Sequence, residues 1–319
     1  MTAIDNHVAK DSAASPPDPA RIGRSGQRRF RLDRLLPQLV VAPTFAISLF
    51  FVYGYILWTA YFSVSASRMM PNYTFVGLDN YIRLWSTPRW HVAVENIAIF
   101  GPLFILLSTA IGLLLAILLD QRIRIEGLLR TIYLYPMAIS FIVTGTAWKW
   151  ILDPGLGIPK LMHDLGWAGF TFDWIVRPDM AIYCLVIAAV WQASGFVMAT
   201  FLAALRGVSD EIINAARLDG ASLPTIYFKI IIPIVRPAFI TVIVLLTHLA
   251  IKSFDLVIAL TNGGPGYSTE LPSTFMYSST FSRNQIGVGA ASAMMMLATV
   301  AAIMVPYLYS ELRGDKRDG

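Results

Sequence analysis

The sequence predicts an all-α membrane protein built from six transmembrane helices. Composition and one repeated pattern carry that prediction. Of the 319 residues, 56% are hydrophobic and only 14% charged, whereas a soluble domain carries about 25% Asp, Glu, Lys and Arg. So few charges cannot cover a water-soluble surface for 35.3 kDa, and the mean hydropathy of +0.60 agrees. The pattern is a series of charge-free windows close to the roughly 20 apolar residues that a helix needs to cross the hydrocarbon layer. A soluble enzyme, a disordered chain and a nucleic-acid-binding domain are excluded, in spite of a pI near 9.3.

The elements follow in order. The opening MTAIDNHVAKDSAASPPDPA is polar and Pro-rich and lacks the apolar stretch of a cleavable signal. Residues 1–34 read as a disordered basic tail, whose Arg-rich end at 21–34 is a membrane-surface anchor. Charge-free windows then occupy 35–67, 96–119, 131–148 (the shortest) and 180–205. The fifth runs from 237 past Lys252 and Asp255 toward 260, and the sixth covers 284–310. The six-span domain is thus 35–310, with a second tail at 311–319. The single cysteine, Cys184, excludes an intramolecular disulfide and a Cys-rich metal site.

Orientation follows from Lys and Arg in alternate segments. Segments 1–37, 120–130, 206–236 and 311–319 hold 17, and the intervening ones hold eight. Both termini are therefore expected in the cytoplasm. The first group carries the whole net charge of +5, and the outer segments are neutral overall. Trp85, Trp90, Trp167 and Trp174 fall in those outer segments, as interfacial aromatics do.

The segment 207–233 is too organised for a loop. Ser209 reads as an N-cap followed by acidic residues in a first helical turn, and Glu211 is one of them. Ile212, Ile213, Ala216 and Leu218 make a short apolar stripe, and Gly220, beside Asp219, stops the helix as a C′ glycine. A second helix is expected over about 223–232, ending at Pro233. Two short helices at the membrane surface suit docking into a partner's groove. A linker folded onto its own bundle gives the same pattern, so both readings stay open.

Here the sequence resembles the permeases of ATP-binding-cassette (ABC) importers. Their cytoplasmic loop has the pattern Glu-Ala-Ala, three residues, Gly, nine residues, Ile-x-Leu-Pro. This chain has Asn214-Ala215-Ala216, then Gly220, then Ile230-Ile231-Ile232-Pro233 at the same spacing. Asn214 stands where the family has Glu and Ile232 where it has Leu; Glu211, one turn earlier, is a candidate replacement for the carboxylate. Phe75-Val76-Gly77-Leu78-Asp79-Asn80-Tyr81 and Thr261-Asn262-Gly263-Gly264-Pro265 look like motifs of the maltose-type carbohydrate permeases. Segments 130–150, 183–196, 251–257 and 306–313 resemble the permease subunit of proteobacterial glucose/mannose importers. The resemblance covers 35–313. It implies a type I ABC importer permease fold whose coupling helices fit a cleft in a partner ATPase. It also implies a second homologous permease subunit, two ATPase subunits that bind ATP and Mg, a periplasmic sugar-binding protein, and an inner-membrane location.

Ionisable groups within a span are costly and mark candidate functional sites. His248, Lys252 and Asp255 lie in the fifth window; on one continuous helix Lys252 and Asp255 share a face and can pair. A sugar pathway, a structural ion pair and a proton relay are all open. The family resemblance places sugar contacts at Leu246, Leu249, Ala250 and Ser253, of which only Ser253 is polar. Trp191 and Gln192 offer a stacking face and an amide, although a Trp in a span also serves packing. No lysine follows a glycine, so the chain has no Walker A motif. No residues are assigned to catalysis or to a metal. The function expected is passage of a monosaccharide, glucose or mannose, powered by a partner's ATP hydrolysis. The alternatives are an ABC permease for another solute (a disaccharide or glycerol phosphate) or an ion-coupled secondary transporter.

Overall fold

The computed structural model describes the backbone of residues 26–121 and 124–314, and side chains over 41–121 and 124–306. Its α-helices are α1 (Gly26–Ser63), α2 (Asp79–Trp85), α3 (Pro88–Asp120), α4 (Glu126–Ala138), α5 (Phe141–Ile151), α6 (Ile158–Asp164) and α7 (Ala181–Leu205). They continue as α8 (Asp210–Leu218), α9 (Leu223–Ile226), α10 (Ile232–Ile234), α11 (Arg236–Lys252), α12 (Asp255–Leu260), α13 (Pro272–Tyr277) and α14 (Ile286–Gly314). Among the described residues the only β pairing is an isolated bridge between Ser65 and Phe75, so the chain is all-α as expected. It forms two units, one reaching Leu57 and one starting at Trp58.

In the first unit helical backbone begins at Gly26. The described part of α1 therefore includes residues 26–34 of the stretch expected as a tail. The rest of that tail and residues 315–319 lie outside the described residues. The C-terminal helix runs through the start of the second tail, to Gly314.

Four helical stretches are long and apolar enough to cross a membrane: Val41–Ser63, Pro88–Asp120, Ala181–Leu205 and Ile286–Pro306. Two bent pairs complete the set. Helices α4 and α5 meet at 101°, and the segment Leu223–Ile234 meets α11 at 69°. Counting each pair as one span gives six.

The third window was expected as a single span, and the structure breaks it into two helices. Pro136 near the end of α4 and Ser140 as N-cap of α5 supply the reason. The Ser140 hydroxyl accepts the Val143 N–H at 3.4 Å, starting a new helix in a new direction. The fifth window is also interrupted. Helix α11 ends at Lys252, Ser253 turns to extended backbone, and α12 starts at Asp255.

Helix α7 is the centre of the second unit, with 67% of its apolar window buried against 28% for α3 and for α14. A helix apolar on every side belongs inside a bundle. Small residues set the distances between helices, as they do where lipid removes any hydrophobic drive for association. A Cβ on Gly112 of α3 would sit 2.5 Å from Val197 Cγ1 on α7. One on Gly145 of α5 would sit 2.6 Å from the Ala259 Cβ of α12. At Gly195 of α7 a Cβ would overlap the Tyr133 carbonyl oxygen of α4. Phe201 and Phe239, with ring centroids 4.6 Å apart, join α7 to α11.

Polar contacts gather the connecting segments into two groups. In one, Arg206 pairs with Glu126, and the Tyr227 hydroxyl donates to Asp120 at 3.3 Å. In the other, the Asn80 amide donates to the Ser63 and Ser65 carbonyls at 3.0 and 2.8 Å, and the Gly287 N–H to the Ser67 carbonyl at 2.9 Å. The first group joins two segments expected on the same side, 120–130 and 206–236. Replacing Gly195 by Val is expected to cost about 1–3 kcal/mol through overpacking. Thermal unfolding of the purified protein measures it, with Gly169→Ala, where the added Cβ meets nothing, as the unaffected control.

Candidate functional site

The coupling segment forms as its local sequence dictates. The Ser209 hydroxyl caps α8 by accepting the Glu211 N–H at 3.2 Å, and Asp210 and Glu211 occupy the positive end of the helix dipole. The helix closes in a Schellman motif. Ala221 N–H donates to the Ala216 carbonyl and Gly220 N–H to the Arg217 carbonyl, each at 3.0 Å. Gly220 takes φ +76, which a side chain disfavours. Ala216 is buried and Ile213 is packed against the main apolar core, whereas Ile212, Leu218, Ala215 and Asp219 are exposed. Leu218 is 90% exposed. Ala216 therefore serves the helix's own seating, and the apolar side chain of Leu218 stands clear of it.

Asn214 lines a groove with Asp120, Asp210, Arg217 and Tyr227. A carboxylate at 214 would share that groove with two acids, Asp120 and Asp210, and one cation, Arg217. Glu211 is exposed and lies outside that groove.

The second helix differs from expectation. Pro233 does not end it; α9 passes through a π turn at Tyr227–Ile231 and continues as α10 to Ile234. The wide turn lies where the proline ring would otherwise clash with the Lys229 carbonyl. Ile226 and Ile231 are buried, Ile230 is half-buried, and Pro233 is exposed. The break comes at Val235, just before the Arg236-Pro237 pair that starts α11.

At the fifth span the structure separates what the sequence put on one face. Lys252 is the last residue of α11 and Asp255 the first of α12, and they form no ion pair. Each charge instead sits at the helix end whose dipole favours it, a cation at a C-terminus and an anion at an N-terminus. The Ser253 hydroxyl donates to the Leu249 carbonyl at 2.9 Å, and the Ser253 carbonyl accepts from Ser273 at 2.7 Å. Lys252, Ser253 and Asp255 line a cavity of about 90 Å³ with Phe141 and Leu249. Ligand pockets span about 300–1,000 Å³, so this cavity is too small to enclose a sugar.

The other candidates lie apart from it. His248 is exposed one turn before Lys252, outside the cavity lining. Trp191 is exposed and meets Trp148 edge-on, with centroids 5.9 Å apart. Gln192 is buried, and its amide donates to the Ile139 carbonyl at the break between α4 and α5, 2.7 Å away. That amide satisfies a carbonyl freed by the broken helix, which is a structural task.

A family model described as "Binding-protein-dependent transport system inner membrane component" matches residues 108–314. The chain belongs to this family. It is 37% identical over 88% of its length to a "Probable ABC transporter permease protein" of Pyrococcus horikoshii, 96% of which is covered. It is 33% identical over 76% of its length to the xylose/arabinose import permease protein XacH of Haloferax volcanii, with 77% of that protein covered. A chain in the crystal structure of a bacterial ABC transporter that imports the acidic polysaccharide alginate shares the fold. The TM-score is 0.77 at 18% identity, covering 90% of this chain and 99% of that one. As an inner membrane component the chain is a multi-pass transport subunit with a type I permease fold, not an enzyme in itself. Family membership sets aside the ion-coupled secondary transporter.

In this permease the two motifs outside the coupling segment are structural. Asn80 and Tyr81 tie the end of α1 to α2; the Tyr81 hydroxyl donates to Ser63 Oγ at 2.9 Å. In the Thr261–Pro265 motif, Thr269 N–H donates to the Gly263 carbonyl and its hydroxyl to that of Gly264, at 3.2 and 3.0 Å. Beside that loop lies a latch absent from the sequence-based site. The Glu270 carboxylate, 1% exposed, accepts both the Nε and Nη2 donors of Arg89 at the start of α3. The Arg89 guanidinium also lies 4.2 Å from the Tyr267 ring centroid, and Asn96 donates to the Glu270 carbonyl at 2.9 Å. Burial pushes the Glu270 carboxyl above its ordinary pKa, and the Arg89 charge opposes that shift. With the partners 181 positions apart in sequence, no local spacing signals the pair.

Two predictions follow from these contacts. Gln192→Leu and Ser273→Ala each leave a part-buried carbonyl without its donor and should cost about 1–2 kcal/mol in thermal unfolding of the purified permease. Glu270→Gln leaves Arg89 facing a neutral amide. It should cost about 2–3 kcal/mol, below the fully buried figure because Arg89 retains some solvent contact. Denaturant unfolding followed by tryptophan fluorescence measures that loss.

Proposed function

We propose that this chain is one of two permease subunits of a binding-protein-dependent ABC importer for a monosaccharide, glucose or mannose. The observation that carries the coupling part is the capped helix α8, which holds Leu218 and Ile212 exposed while Ile213 and Ala216 seat it on the bundle. Such a knob fits the cleft of an ATPase subunit. Two ATPase subunits bind ATP and Mg, a periplasmic sugar-binding protein delivers the solute, and the 17-to-8 distribution of basic residues puts α8 and both termini on the cytoplasmic side.

Closure of the ATPase pair on ATP moves α8, and the permease pair exchanges access between the two sides of the membrane. The solute passes the break at Lys252, Ser253 and Asp255, whose charged and hydroxyl groups suit a polyhydroxylated substrate. A pentose-importing relative at 33% identity, and the sequence segments that resemble glucose/mannose permeases, favour a monosaccharide.

The experiment is uptake of labelled glucose, mannose, xylose, maltose and glycerol phosphate in cells with and without this chain. Loss of glucose or mannose uptake alone is the expected outcome; loss of glycerol phosphate or maltose uptake instead would reassign the substrate. In the same cells Leu218→Glu, which changes only an exposed side chain, should reduce uptake at least 10-fold. Membrane levels should stay unchanged, and unimpaired uptake would overturn the coupling role of α8.

A further inference from the structure

The segments expected to face outward are neutral overall, yet one cavity among them is strongly positive. It measures about 560 Å³, and Arg68, Arg83 and Arg283 line it together with Thr87, Asn284 and Gln285. No acidic side chain lines it. None of the three arginines makes an ion pair among the described residues. Glu270, whose carboxyl feels the Arg283 charge, is already paired with Arg89. Three like charges converging on one unneutralised cavity are unfavourable unless an anion completes it.

The border of the cavity narrows the choice of anion. Arg83 and Ser86 line it at the end of α2, and Asn80 and Leu84 are the face of that helix that is buried. Leu78, Ile82 and Trp85, spaced as one helical face, are all exposed. Met69 and Met70, next to Arg68, are exposed as well. Apolar side chains beside a basic cavity, at the end of apolar spans and with a tryptophan among them, are what the headgroup region of a bilayer accommodates. A free inorganic anion would use the arginines and leave this apolar border without a role.

We propose that the cavity binds the phosphate of an anionic phospholipid headgroup. Arg68, Arg83 and Arg283 hold the phosphate oxygens, and the acyl chains lie along Leu78, Ile82 and Trp85. Guanidinium groups suit this because their paired N–H donors match two phosphate oxygens at once. The site is independent of which solute crosses, and of which leaflet this end faces.

The test uses the full-length permease, delipidated in detergent, with native mass spectrometry and thermal unfolding as readouts. The probes are phosphatidylglycerol, phosphatidylcholine and inorganic phosphate. Phosphatidylglycerol is expected to bind and raise the Tm, with phosphatidylcholine and phosphate giving much smaller effects at equal concentration. The combined Arg68→Gln, Arg83→Gln and Arg283→Gln variant should weaken phosphatidylglycerol binding on the order of 100-fold. The matching Arg→Lys variant should keep most of the binding, which separates loss of charge from a folding defect. Arg177→Gln, at an exposed arginine outside the cavity, should change nothing. Phosphatidylglycerol binding that survives the triple Gln variant would overturn the proposal. So would a Tm rise reproduced by inorganic phosphate alone, which would mark a soluble-anion site. Equal binding of phosphatidylglycerol and phosphatidylcholine would overturn it too, because the arginines would then add nothing for an anionic headgroup.

Discussion

A backbone carbonyl released from a helix inside an apolar medium has no water to bond to, so it must find a donor in the protein. That constraint governs this molecule, because two of its six apolar stretches are not continuous helices. At the first break the Ile139 carbonyl takes the Gln192 amide, and at the second the Ser253 carbonyl takes the Ser273 hydroxyl. Both donors come from outside the broken stretch, one from the central helix α7 and one from α13. The breaks therefore exist only as part of the assembled unit. Helices α5 and α12, which flank them, pack closely through Gly145, so the two interrupted spans reinforce each other. Charged residues at the second break are tolerated for a related reason, since helix ends at Lys252 and Asp255 supply partial charges of the right sign.

Legibility of the sequence followed the range of the interaction involved. The coupling segment was readable because its determinants are local: a serine cap, two acids, and a glycine at C′. The breaks were not. A charge-free window looks the same whether it is one helix or two, and the third window hides its interruption in Pro136 and Ser140. Once α11 ends at Lys252, the three-residue spacing to Asp255 no longer places the two on one face. Gln192 was legible as an unusual polar residue, but its partner 53 residues away was not. Pro233 misled in the opposite sense, since a π turn absorbs the proline that was expected to stop the helix.

The covalent order of these pieces limits how force can enter the bundle. Helix α8 has no direct bond to the spans except through the residues before Ser209 and after Gly220. Upstream, Arg206 at the end of α7 is held by Glu126, and α7 is the most buried of the four long apolar helices. Downstream, the chain passes the π turn and bends by 69° into α11. Tyr227 in that turn contacts Asp120 and Gln121 at the end of α3, which ties the near end of the lever to the core. The compliant elements are then the bend at Val235 and the break at Ser253. On the coupling role proposed above, displacement of α8 would pass along α11 toward Lys252, because a helix is stiff and its two ends are not. Beyond the break, the Arg89–Glu270 latch and the Thr269 turn hold the far loop against α3. Motion delivered to α11 must be taken up before that latch, at Ser253, where the small cavity opens and the charged helix ends meet.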